Sequence, residues 1–142
     1  MHSVTFVIQA SSDKRNRLAL CAHLLQYWLA QGLSPYCLTP DQDYANFLDD
    51  FLWSEDSIFI PHTQSAFQST RIQAYIGTKL PHTHHHIFNC TQQAIDLSNQ
   101  KYALAIVEWV SQNTADKAHM RTVFSHYKTQ HQVTPITIRL DA

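Results

Sequence analysis

The sequence predicts an α/β fold. It reads as a single-domain, three-layer Rossmann-like sandwich over residues 1–142, with a mainly parallel central sheet, helices on both faces and no nucleotide-binding loop. Three observations lead there. Apolar β-branched and aromatic runs alternate with segments of helical periodicity, giving strand, helix, strand, helix, strand within the first 62 residues; such alternation implies βαβ units with right-handed crossovers. Hydrophobic residues make up 44% of the chain and charged ones only 15%, the composition of a globular chain and not of a disordered one. A chain of this length fits one domain and buries roughly two thirds of its unfolded surface.

Val4-Thr5-Phe6-Val7-Ile8 is the first strand, apolar enough for burial on both faces. Ser11, Ser12 and Asp13 offer helix N-caps. A helix follows over residues 14–31, with Leu18, Cys21, Ala22, Leu25, Trp28 and Leu29 on one stripe, and Gly32 closes it. Residues 33–38 form the second strand. Thr39-Pro40-Asp41 starts the second helix, with proline early, where its missing N–H costs least. That helix runs to about Leu52 on Phe47, Leu48, Phe51 and Leu52, and Trp53 stands just past its end. Ile58-Phe59-Ile60 reads as a short strand that either ends at Pro61, which cannot donate to a ladder, or lies at an edge. Residues 63–70 are a polar loop, 71–76 an alternating strand ended by Gly77, 81–86 a loop and 87–90 a short strand. Residues 92–101 stay open between loop and a turn of helix, and 102–110 between strand and buried helix, because periodicity does not separate them. Asn113-Thr114 caps a last helix reaching about Gln130, and residues 133–140 form a final strand that Pro135 consigns to an edge.

The same sequence argues against much of what this fold class often does. The loop after the first strand is Gln9-Ala10-Ser11-Ser12-Asp13, and the chain contains only Gly32 and Gly77. Neither G-x-G-x-x-G nor a phosphate loop can be written, and no cofactor is expected. Gly77-Thr78-Lys79 is a fragment at a strand end. The histidines of Pro81-His82-Thr83-His84-His85-His86 lack a C-x-x-C or H-E-x-x-H companion, so a solvated loop is expected and no metal site. No elbow presents a nucleophile, the carboxylate pairs Asp49-Asp50 and Glu55-Asp56 are expected to be solvated, and no catalytic residue is expected. A net charge of -1 and a pI near 6.8 do not suit a chain that grips the nucleic-acid backbone by itself, so DNA is expected to be reached only indirectly. No apolar run of membrane length stands in the sequence, and the strand-like pattern at its start leads us to expect no secretory leader. Cys21, Cys37 and Cys90 are widely spaced. Buried thiols in a cytoplasmic protein without membrane contact are the expectation.

Two stretches carry more. In the first, the large rings of Trp53 and Phe59 stand close to Pro61. Aromatics dominate the hot spots of protein interfaces; the plainer alternative is that Trp53 belongs to the core. The second is the last helix. At about 100° per residue, Lys117, Arg121, Phe124 and Lys128 fall on one stripe, while Met120, Val123 and Tyr127 lie about a quarter turn away and face the sheet. A basic stripe carrying one exposed aromatic suits an acidic peptide that ends in a hydrophobic residue and a free carboxylate. A solvated Lys/Arg face with Phe124 tucked beneath is the alternative.

The pattern Leu48-Asp49, Leu52-Trp53, Phe59 and Pro61-His62 resembles the signature of the chi subunit family of bacterial DNA polymerase III, and length and element order are similar from Val4 to about Leu140. The resemblance implies a non-catalytic accessory subunit of the clamp-loader complex in DNA replication. It implies that Trp53 and Phe59, with Pro61, meet the psi subunit. It implies also that the acidic C-terminal tail of single-stranded-DNA-binding protein is held by Lys117, Arg121 and Phe124. Val110 matches the apolar position supplied by the preceding segment, and Lys128 joins from the same stripe. Phe124 stands where the family commonly has Tyr, so the ring face remains while a hydroxyl hydrogen bond is lost. His62 has a family counterpart and is expected to make a structural hydrogen bond at a strand end. The resemblance favours strand over helix toward residues 107–110. A small α/β nucleotide- or metal-dependent enzyme is the competing reading, and it would need a glycine-rich turn or converging ligands.

Overall fold

A computed structural model describes residues 2–9, 15–54, 59–64, 72–80, 84–98 and 100–140. The elements run β1 (Ser3–Gln9), α1 (Arg15–Ala30), β2 (Tyr36–Leu38), α2 (Gln42–Ser54), β3 (His62–Thr63), β4 (Ala74–Gly77), β5 (His86–Asn89), β6 (Ala105–Val110), α3 (Thr114–Gln130) and β7 (Ile136–Leu140). All seven strands pair in parallel, in the order β3-β4-β2-β5-β6-β1-β7. The expected Rossmann-like, three-layer α/β architecture is the one observed.

Alternation along each strand divides the core in two. On one face Val7, Cys37, Ile76, Phe88, Val107 and Trp109 meet the apolar stripes of α1 and α2. On the other, Val4, Phe6, Tyr36, Leu38, Ile87 and Ile106 meet Met120, Val123 and Tyr127 of α3, together with Ile95, Leu97 and Leu104. The chain leaves β6, crosses over β1 through α3 and returns as β7 at the outer edge. That path sets α3 beside β7 on a single face of the sheet.

Several expectations shift in detail. Pro40 precedes α2 and does not start it; Asp41 Oδ1 accepts the Tyr44 amide at 2.8 Å, as a capping side chain does. Trp53 lies inside the last turn of α2, not past it. Of the strand expected at Ile58-Phe59-Ile60, residues 59 and 60 are irregular, and the pairing begins after the proline at His62. Pro61 still serves the ladder with its carbonyl, which accepts the Ala74 amide at 2.9 Å. The 102–110 ambiguity resolves as strand β6, and residues 92–98 are irregular. The N-cap candidates Ser11, Ser12 and Asp13, the pair Glu55-Asp56, residue Ile58, most of the 63–70 loop, Arg71 and the Pro81-His82-Thr83 segment lie outside the described residues.

Of the remaining histidines of the 82–86 cluster, His84 and His85 keep the expected irregular backbone and His85 is exposed, while His84 and His86 are half-buried and His86 opens β5. His84 stacks on Tyr75 and Tyr36 and reaches the Ser34 carbonyl at 3.0 Å, His85 stacks on Tyr102, and His86 packs against Trp28. Gly77, read as a strand end, is there for space: a Cβ would run into the Tyr36 hydroxyl, which donates to the Lys79 carbonyl at 2.6 Å. Cys21, Cys37 and Cys90 are all free and buried, and burial pushes the Cys90 thiol up. Among the described residues no helix is long and apolar enough to cross a membrane.

Candidate functional site

The position of α3 is fixed at three points. At its start, Asn113 adopts an extended backbone and its Oδ1 accepts the amides of Ala115 and Asp116 at 2.9 and 3.2 Å. Ser111 donates to Asp116 Oδ2 at 2.7 Å just below. Midway, the buried stripe of Met120, Val123 and Tyr127 sets the rotation of the helix about its axis. The Tyr127 hydroxyl donates to Glu108 Oε2 at 2.7 Å and accepts the Ile95 amide at 2.9 Å. At its end Gln132 takes a left-handed φ of 56°, and the Val133 amide returns to the Tyr127 carbonyl at 3.1 Å, turning the chain toward β7.

With the helix held so, Lys117, Arg121 and Phe124 turn toward β7 and line a groove of 450 Å³. Its floor is apolar: Phe6 and Ile8 from β1, Val110 from β6 and Met120 from α3. Phe124 is half-buried, not fully exposed, because its ring meets Phe6 edge-on with centroids 5.4 Å apart. Val110 is buried yet opens onto the groove. Lys128 is exposed one turn further along α3 and does not line it. The opposite wall comes from β7, through Thr137 and Arg139. Sequence reasoning missed both, since they enter only once β7 is known to pair with β1. Among the described residues, every charged one lining the groove is a cation, namely Lys117, Arg121 and Arg139. Cations around an apolar floor can hold a carboxylate-rich, apolar-ended peptide.

The second aromatic patch lies at the other edge of the sheet. Trp53 is 60% exposed and Phe59 78% exposed, so neither is core. Pro61 is half-buried, with its carbonyl bonded to the first residue of β4. His62 supports this patch from beneath. Its Nδ1 bonds the Ile60 carbonyl at 2.7 Å, its Nε2 lies 2.7 Å from Asp49 Oδ1, and its ring packs on Trp53 at 4.4 Å. The structural hydrogen bond expected of His62 is present. Asp49, expected to be solvated, instead takes His62 on one oxygen and Gln64 on the other at 2.8 Å.

Sequence reasoning also passed over Glu108. It is fully buried on β6, with Oε2 accepting from Asn89 Nδ2 and from the Tyr127 hydroxyl, both at 2.7 Å, and Oε1 without a partner. Burial pushes its carboxyl up to about 8, against the pull of those two hydrogen bonds. A lone carboxylate in Ala105-Ile106-Val107-Glu108-Trp109-Val110 was the available signal. Among the described residues no group of three or more His, Cys, Asp or Glu could hold a metal ion.

A family model described as DNA polymerase III chi subunit, HolC, matches residues 1–134 of the 142. A comparison with curated proteins found no match. The chain belongs to the chi subunit family and is thereby an accessory subunit of DNA polymerase III.

Proposed function

We propose that this chi-family chain is a non-catalytic adaptor in the cytoplasm, joining the psi subunit of the clamp loader to the acidic C-terminal tail of single-stranded-DNA-binding protein. The observation that carries the reading is the groove between α3 and β7, where the charged residues among those described are all cations around an apolar floor, in a chain whose net charge is -1. Charge complementarity of this kind fits an acidic peptide. The ring of Phe124 against Phe6 gives the peptide's hydrophobic end an apolar surface. Trp53, Phe59 and Pro61 form the second surface, proposed for psi, and the exposure of the two rings supports it. Holding both partners raises the local concentration of the replicase at coated single strands with no new chemistry. DNA is then reached through the bound protein.

The test is fluorescence polarisation with a synthetic acidic peptide ending in a hydrophobic residue. Arg121→Ala weakens binding about tenfold and Lys117→Ala by a similar or smaller factor, since hydrogen bonds to charged groups contribute roughly 1.5 kcal/mol or more. Affinity falls as salt rises, and circular dichroism stays that of the parent because both side chains leave the core untouched. Parent-like affinity in both variants sinks the groove as the tail site.

A further inference from the structure

We infer that Arg139 is a peptide-binding cation on the wall of the groove facing α3, taking a carboxylate of the acidic tail that Lys117 and Arg121 engage from the helix side. The inference rests on the tail-binding reading above and adds a second wall to it. Neither the motif residues that carry the family resemblance nor the helical stripe include Arg139, and β7 lies beyond the residues that the family model matches.

Register places the side chain. Ile8 pairs with Val110 on one side and with Arg139 on the other, so Val110, Ile8 and Arg139 form one row across β6, β1 and β7. Two of that row are the groove's apolar floor, and the third is its outer rim. The next row, Phe6 with Thr137, continues the same lining toward Phe124. A strand period of two sends Thr137 and Arg139 into the groove and Ile136, Ile138 and Leu140 to the opposite face. β7 is an edge strand of the described sheet and is exposed along its whole length, so Arg139 is open to solvent.

Charge argues the same way. Among the described residues no carboxylate pairs with Lys117, Arg121 or Arg139. Three cations on two sides of one small groove, without a carboxylate partner among the described residues, repel each other when it is empty, and an anion between them relieves that repulsion. A guanidinium presents parallel N–H donors that match a carboxylate bidentately, which a lysine in the same place would not. A peptide lying on the Ile8–Val110 floor therefore passes between cations from both walls.

The experiment measures the full chain against three peptides: the acidic peptide with its free terminal carboxylate, the same peptide amidated at its end, and one with its acidic side chains converted to amides. Arg139→Ala is expected to weaken the first about tenfold, a size typical of a charge-assisted hydrogen bond lost at a surface. Arg139→Gln, which keeps a polar stem, should show the same loss and guards against a folding defect in the alanine variant. The loss should shrink on the amidated peptide if the terminal carboxylate is the partner, or on the side-chain amide peptide if an acidic side chain is. If Arg121→Ala weakens binding while both Arg139 variants match the parent, the inference falls and the tail site stands. A loss that is undiminished on both modified peptides overturns direct contact. Failure of the parent to bind any of the three overturns the site and the inference together.

Discussion

Glu108 shows at the scale of one residue how a side chain can matter without touching a partner. Its carboxyl is buried on β6 under α3, and burial holds it at about 8. A folded-state value above the unfolded one, near 4.5, means that the protonated form is favoured by folding. The stability this gives is complete below about pH 4.5, declines as pH rises through the interval, and is gone above about 8. Glu108→Gln keeps an oxygen for Asn89 and Tyr127 and has no proton to lose. Thermal unfolding should therefore show the variant gaining on the parent between pH 5 and pH 9, by a difference on the order of a few kcal/mol. Parallel melting profiles across that range would mean that Glu108 stays equally protonated in both states. The sequence held the clue in a lone acid among six otherwise apolar residues, but its partners Asn89 and Tyr127 are 19 residues away on either side, and no local pattern connects them.

At the scale of an element, α3 was the most legible part of the chain and β3 the least, for one reason. A helix is specified by neighbours three and four residues apart. The cap Asn113, the sheet-facing Met120, Val123 and Tyr127 and the end at Gln130 could all be read from residues in one window, and all are as expected. Strand pairing depends on residues far away in the chain. Ile58-Phe59-Ile60 looked like a strand by composition, yet Phe59 is turned to the surface and the ladder with β4 begins at His62. Arg139 was missed in the same way: its alternation was visible, but not that β1 lay beside it. The capping argument gives a prediction. Asn113→Ala removes the acceptor of two amides and should destabilise the fold by about 1 kcal/mol, or about 3 °C in Tm for a chain of this size. Tail-peptide affinity at 25 °C should change little, because the buried stripe still sets the rotation of α3. An unchanged Tm would mean that the Ser111–Asp116 contact carries the helix start without the cap.

For the whole molecule, the arrangement of the sheet is what would let the two proposed docking surfaces coexist. β3 and β7 occupy opposite edges, six interstrand steps apart, or about 29 Å at 4.8 Å per step. The aromatic patch belongs to α2 and the segment before β3, whereas the cationic groove belongs to α3 on the other face. Neither surface shares a residue with the other, and side chains so far apart contribute independently unless a two-state element links them. The continuous parallel sheet between them offers a rigid spacer. Psi and the tail peptide should therefore bind together, each with the affinity it has alone, within a factor of two. Trp53→Ala should abolish co-purification with psi and leave tail-peptide binding at the parent level. The substitution also removes a ring that covers His62, so Trp53→Phe, which restores part of that cover, separates a lost contact from a loosened β3. A tail affinity that moves with psi bound would show that the sheet transmits between its edges. Loss of both partners in Trp53→Ala, rescued by Trp53→Phe, would show that Trp53 acts by supporting the fold.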